Sequence, residues 1–381
     1  MRAIVCGAGI AGLALARQLD TAGVEVVVIE RSPGPHPSGY MIDFFGPGYD
    51  AAEAMGVLPR IQQLGYRVDE LAYCDDTGRR RAGLKYSEFA RAAGGRVVSI
   101  MRPDLEQALI SDVDVRYGRR LTAIDNRADG VTVTLDNGET LTADLLAGCD
   151  GIHSATRALT FGPERDHVHY LGFHTAAYTF DDPVAHAEVA GRFCMTDTLH
   201  HTLGFYGLRD GRVAVFAVHP ADDPTRPADV RAALRDEYGD LGWIAPRALA
   251  ACPPSGEVYY DQVAQAIVPA WSSSRVVLLG DSAYAVSLLA GQGASLAVAG
   301  ASVLARELTS RASIDAAFLG YEQTLRPLVT ATQDRARRGT RWFVPRTPAQ
   351  RWLRRTVLRG AGLPFADRLL ANAVIGKATA L

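Results

Sequence analysis

The chain has 381 residues, 48% hydrophobic and 22% charged, with a net charge of -2 at pH 7. That balance excludes a disordered chain and gives no basis for nucleic-acid binding, while the length predicts two or three domain-sized units with an ample core. The five cysteines (Cys6, Cys74, Cys149, Cys194, Cys252) are scattered and form no C-x-x-C pair. This argues against a disulfide framework or zinc site and fits a reducing, cytoplasmic setting. No run of 18 uncharged apolar residues occurs, so no membrane span is expected. The apolar N-terminus is too short and too glycine-punctuated for a signal peptide.

The first predicted element is a buried strand from Ala3 that breaks into Gly7-Ala-Gly9-Ile-Ala-Gly12 and continues as a helix through Leu19. In this fingerprint Gly7 permits the tight turn, Gly9 admits a pyrophosphate, and Gly12 lets helix and strand approach closely. The helix N-terminus offers N–H groups and partial positive charge to the phosphates. A second strand, Val24 to Ile29, ends at Glu30, where a carboxylate is placed to accept from a ribose diol and repel a 2′-phosphate. The unit predicts a bound dinucleotide and leaves FAD or NAD open.

Further along, Val131–Leu135 and Glu139–Ala143 flank an Asp-Asn-Gly turn, and a buried strand, Leu145–Cys149, ends at Asp150-Gly151. From about 167 to 269 the pattern is mostly strands, including a hairpin around Arg209-Asp-Gly211 and an extended stretch from 256 to 268. The many histidines there lack i, i+4 spacing, and strand neighbours such as His200 and His201 would point to opposite faces. No metal site is expected. Next comes a buried strand ending in Gly280-Asp281, a loop, and a glycine-rich helix start at Gly291-Gln-Gly293. Helical periodicity then runs to the C-terminus. Its Arg335–Arg359 stretch carries nine arginines with Trp342, Phe343, Trp352 and Leu353 interleaved, and reads as a packed helix with a solvated basic face. The fold class is mixed α/β: a Rossmann-like nucleotide domain, an inserted sheet-rich domain, and C-terminal helices.

Four ordered elements carry a resemblance: Gly7–Gly12 with Glu30-Arg31, Arg102-Pro-Asp-Leu-Glu-Gln-Ala-Leu109, Cys149-Asp150-Gly-Ile-His-Ser154-Ala-Thr-Arg157, and Gly280-Asp281 with Gly291-Gln-Gly293. Together they resemble the single-component flavin-dependent aromatic hydroxylases of the p-hydroxybenzoate hydroxylase family, and within it the branch with the tetracycline-modifying monooxygenases. The resemblance implies FAD, held without a covalent bond. Gly7, Gly9, Gly12 and Glu30 would hold its ADP half, with Arg31 near the ribose and phosphates. Arg102 would contact the flavin chain, and Asp150 would serve both FAD and the nicotinamide dinucleotide. Asp281 would bond the ribityl hydroxyls, Gly291 and Gly293 would face the flavin ring, and Asp43 matches a flavin-contacting aspartate of the branch. It also implies 1–70, 98–165 and 272–330 as the FAD-binding domain, 71–97 and 166–271 as the substrate domain, and 331–381 as a helical segment.

The implied activity is a monooxygenase: NADPH or NADH, bound transiently, reduces FAD, and a flavin hydroperoxide passes one oxygen atom from dioxygen to an aromatic or polyketide-like small molecule. No side chain is assigned as acid, base or nucleophile; Tyr206 and His219 are pocket candidates only. The chain departs from the family at His36, where the branch has an arginine assigned to NADPH, at Tyr284 in place of histidine, and at Leu288 in place of proline. The residues themselves leave structural alternatives. Asp281 would equally cap the segment after it, Arg102 would be a solvated helix-start arginine, and Asp150 a turn residue. The main functional alternative is an oxidase, reductase or dehydrogenase of the same superfamily. A halogenase would need a motif-borne lysine, and only Lys85 and Lys377 exist.

Overall fold

A computed structural model describes residues 1–35 and 39–360. Its central six-stranded sheet runs in the order Ser272–Ser273, Val276–Leu278, Leu145–Gly148, Arg2–Cys6, Glu25–Glu30, Asp114–Tyr117, and all but the Ser272–Ser273 edge pair in parallel. Parallel strands buried on both faces need continuous apolar sequence, which Ala3-Ile-Val-Cys and Val26-Val-Val-Ile supply. Alternation then splits each strand between two cores. Ile4 and Cys6 face Val131, Val133 and Leu141 of the antiparallel sheet Leu121–Asn126, Val131–Leu135, Thr140–Ala143. Ala3 and Val5 face the helices Ile10–Thr21 and Gly293–Ser310.

The second sheet has seven strands, in the order Tyr259–Ala266, Val168–Asp181, Arg212–Pro220, Thr202–Gly207, Arg192–Thr196, Glu70–Cys74, Arg80–Lys85. The hairpin expected around Arg209-Asp-Gly211 is present, with Tyr206 opposite Ala214. This segment is less purely strand than its pattern suggests. Helices Pro183–Val189, Val230–Tyr238 and Ala245–Ala250 cover one face, burying Val189, Val230, Leu234, Tyr238 and Ala248 against Tyr178, Val215 and Ala217. Val230, Leu234 and Tyr238 recur at four-residue spacing, a helical stripe too short to stand out from neighbouring strands. The opposite face, with Phe173, Phe216, Val218 and Val263, turns toward Tyr40, Leu288 and Leu289 of the nucleotide-binding unit.

The helix Ile314–Phe343 runs unbroken across position 330. The helix Pro348–Gly360 follows, and residues 361–381 lie outside the described residues. The expected solvated basic face needs correction at Arg354, which is only 1% exposed and bonds the fully buried Asp197 at 2.9 Å, with Arg355 on the other carboxylate oxygen at 2.5 Å. A carboxylate with no access to water requires a cation beside it. Trp352, Leu353 and Val357 are exposed on the same helix.

Candidate cofactor-binding site

The glycine fingerprint has the conformation its spacing demands. Gly7 sits at φ +108°, and a side chain there would overlap the Cys149 carbonyl; a Cβ on Gly12 would overlap the Gly7 carbonyl. A Cβ on Gly9, by contrast, would meet only the Glu106 carboxylate at 3.8 Å and an Arg102 Nη atom at 3.9 Å. Gly9 is the N-cap of helix Ile10–Thr21 and supplies no side-chain cap, so the first-turn N–H groups are directed to this space. Glu30 is buried, and its carboxylate accepts the N–H groups of Ala8 and Ser32, both at 2.8 Å. It therefore braces the turn. Arg31 is exposed on the rim.

Arg102 begins helix Arg102–Leu109 and bonds Glu106 one turn later at 3.1 Å, so it is not the solvated arginine of the bland alternative. Burial works against its charge, but Glu106, Tyr40, Tyr259 and Asp281 outweigh that and raise its pKa. Tyr40 and Tyr259 lie with ring centres 5.6 Å apart, one from each unit. Burial lifts the Tyr40 hydroxyl to about 12. Sequence reasoning passed over Glu106, although its spacing of four from Arg102 is the signal for such a pair.

Asp281 does not end the strand. The strand ends at Leu278, and Asp281 is the first residue of a short helix, Asp281–Tyr284, behind Gly280 at φ +73°. The N-cap of that helix is Gly280, which has no side chain to offer. The carboxylate is exposed to solvent, and the protein around it still raises its pKa by desolvation, opposed by Arg102 and assisted by Asp261. A Cβ on Gly293 would lie 3.7 Å from Asp281 Oδ1, so the glycine-rich helix start and the carboxylate adjoin. Gly291 is left-handed at φ +64° with nothing within 4 Å of its Cβ position, and Gly293 opens helix Gly293–Ser310. Two glycine turns, an exposed carboxylate and a half-buried cation thus meet along one groove. Such donors and acceptors match a flavin dinucleotide: N–H groups for its phosphates and ring edge, carboxylates for its hydroxyls. Where the family has proline the chain has Leu288, in a short 3₁₀ turn entered through Ser287 at φ +93°. Leu288 packs toward Phe173 and Val263.

Other expected residues have local duties. Asp150 Oδ1 accepts from Ser154 Oγ at 2.5 Å, and Oδ2 from the Thr156 N–H at 2.9 Å. Its carboxylate therefore orders the start of helix Ala155–Thr160. Asp43 Oδ1 accepts from Ser99 Oγ at 2.6 Å and Tyr86 Oη at 2.9 Å. Burial raises its pKa and the Ser99 bond opposes the rise. Tyr206 is on the groove-facing side of the sheet, but its hydroxyl is engaged by the Met41 N–H at 2.6 Å. His219 is placed away from the glycine turns and Asp281, beside a separate pocket that it lines with His174, Glu237 and Tyr260. It lies on the far, helix-covered face, 3.0 Å from Tyr238 Oη and 3.4 Å from Tyr260 Oη, because strand neighbours alternate and Val218 takes the near face. Tyr284 is core, its ring 4.7 Å from that of Trp271. His36 lies outside the described residues.

The architecture and groove define an α/β flavin-dinucleotide protein with an attached sheet domain. A family model described as FAD binding domain matches residues 1–336, and the chain belongs to that family. It is 32% identical over 339 residues to an uncharacterized Mycobacterium tuberculosis protein, Rv1260, covering 84% of this chain and 87% of that one. A protein of Legionella longbeachae named flavin-dependent monooxygenase is 28% identical over 342 residues, 87% of each chain. Among solved structures, tetracycline destructase Tet(55) superposes with a TM-score of 0.81 at 25% identity, over 98% of this chain and 97% of that one. Klebsiella pneumoniae HpxO, solved with FAD and uric acid, shares the fold at a TM-score of 0.79 and 23% identity, over 99% and 97% of the chains. The chain is an FAD-binding member of the flavin-dependent monooxygenases.

Proposed function

We propose that the protein uses NADPH or NADH and dioxygen to insert one oxygen atom into an aromatic or polyketide-like small molecule. The observation that carries this reading is the Asp281–Gly293–Arg102 groove, walled on its far side by the aromatic face of the seven-stranded sheet. When bound there, FAD supplies the redox and oxygen chemistry. Gly7, Gly9 and Gly12 admit the pyrophosphate, Glu30 accepts from the adenosine ribose, and Arg31 adds positive charge at the rim. Asp281 accepts from the ribityl hydroxyls, while Gly291 and Gly293 direct N–H groups to the ring. Asp150 acts through the turn it organises, and Asp43 presents an acceptor held by Tyr86 and Ser99. Phe173, Phe216, Val218 and Tyr259 exclude water and offer flat apolar surface to an aromatic substrate.

The relatives named flavin-dependent monooxygenase and the likeness to a tetracycline destructase support this reading. Purified protein should be yellow, and NADPH or NADH consumption should rise with one compound from a phenolic, polyketide and tetracycline-like set. Label from ¹⁸O₂ should then enter the product. Substrate-independent reduction that yields only hydrogen peroxide would instead mark an oxidase.

A further inference from the structure

His153 lies in the Asp150–Arg157 segment but bonds outside it. Its Nδ1 is 3.0 Å from both Glu164 carboxylate oxygens, and its Nε2 is 2.9 Å from Asp261 Oδ1 on the strand Tyr259–Ala266 of the other sheet. A neutral imidazole carries one N–H. With a carboxylate at each nitrogen, the neutral ring would turn a lone pair on an anion, so this geometry calls for the imidazolium. Arg157, the other nearby cation, is fully buried; it donates to the Ser282 carbonyl at 3.0 Å and the Ile152 carbonyl at 2.6 Å and lies 3.6 Å from Glu164. The same segment is thus tied to the Asp281 helix through Arg157 and to the substrate sheet through His153. Asp261 in turn acts electrostatically on Asp281, Tyr40 and Tyr259.

We propose that His153 is a positioning residue: a charged pin that locks the sheet domain to the nucleotide unit and neutralises Asp261, so that Arg102 has Asp281 alone to balance as the acceptor for the flavin side chain. The inference rests on the reading of Asp281 as a cofactor ligand. The pin is present while the ring is charged. The Asp261 bond, reinforced by Glu164 and opposed by burial, raises the His153 pKa to about 9, so the pin is lost as pH rises through that value. Asp261 then keeps only the Gln262 N–H on its Oδ1 and adds an unbalanced negative charge near Asp281.

Two measurements test this. In the protein without added FAD, the His153 imidazole C2–H resonance should titrate near pH 9, and Asp261→Asn should move that midpoint down. A midpoint close to 6.5 in the unsubstituted protein would overturn the pin whether or not FAD binds. With FAD, affinity should fall roughly two- to fivefold between pH 8 and 10, the scale of a partly exposed ion pair. His153→Gln should be weak and flat over that range, and His153→Arg tight and flat. An alkaline inflection that survives in His153→Gln would refute the assignment. Failure to take up FAD at any pH would refute the proposed function and leave the resonance titration to judge the pin.

Discussion

Gly280 rests on Ala11: a Cβ built at Gly280 would stand 2.8 Å from the Ala11 Cβ. The contact seats the Asp281 helix on the fingerprint helix, so the two halves of the groove share one packed joint. Gly280 also holds φ +73°, ψ -143°, a conformation close to glycine-only. Gly280→Ala combines backbone strain with overpacking and should cost roughly 2–4 kcal/mol. Gly138→Ala shares a positive φ but meets nothing within 4 Å, and should lose clearly less. Urea unfolding of both variants gives the comparison, and equal losses would show that the joint is unimportant.

Asp281 should separate binding from stability. A hydrogen bond to a charged acceptor contributes roughly 1.5–3 kcal/mol, so Asp281→Ala should weaken FAD binding about ten- to a hundredfold, and Asp281→Asn less. The folded state raises this carboxyl's pKa, chiefly through burial. A raised pKa favours folding only while the group is protonated, but Asp281 is exposed, so solvent screens most of that effect on stability. Asp281→Asn should therefore melt close to wild type at pH 7, so that its effect shows in FAD affinity and not in stability. Lower melting with unchanged FAD affinity would indicate a capping role.

Arg354 and Arg355 hold the Pro348–Gly360 helix to Asp197, and Arg354 also stacks 4.2 Å over the Tyr73 ring. Removing one partner of a buried pair strands the other charge. Arg354→Ala should cost about 3 kcal/mol and expose the Pro348–Gly360 helix to limited proteolysis. Cleavage there at the wild-type rate would contradict this anchoring.

His219, on the far face, makes a pH prediction of the opposite sign to His153. Burial lowers its pKa from 6.5 to about 4. The neutral ring is what the fold accommodates, so its contribution is present above 6.5 and is lost as pH falls to about 4. On the order of 2–3 kcal/mol should disappear across that window. His219→Gln should flatten the acid limb of a stability-against-pH curve, measured by chemical denaturation. A curve with the same acid slope as wild type would assign that limb to other groups.

Much of the nucleotide unit was legible because its constraints are local. Gly7 and Gly12 are demanded by a turn and a close approach within six residues of each other, and the apolar Ala3–Cys6 and Val26–Ile29 runs declare strands buried on both faces. Gly280-Asp281 and Gly291-Gln-Gly293 were likewise visible as a pair. The short helices Val230–Tyr238 and Ala245–Ala250 were not, since a stripe of two turns scarcely differs from alternation when neighbouring segments are strands. Side-chain partners were equally hidden. Nothing in the order of residues says that Asp150 spends its oxygens on Ser154 and Thr156, that Val218 and not His219 faces the groove, or that His153 reaches Asp261. Backbone conformation is set by residues close in sequence, so the chain announces it. Which carboxylate stays open to a ligand depends on groups brought together only by packing, and that was decided by the tertiary structure.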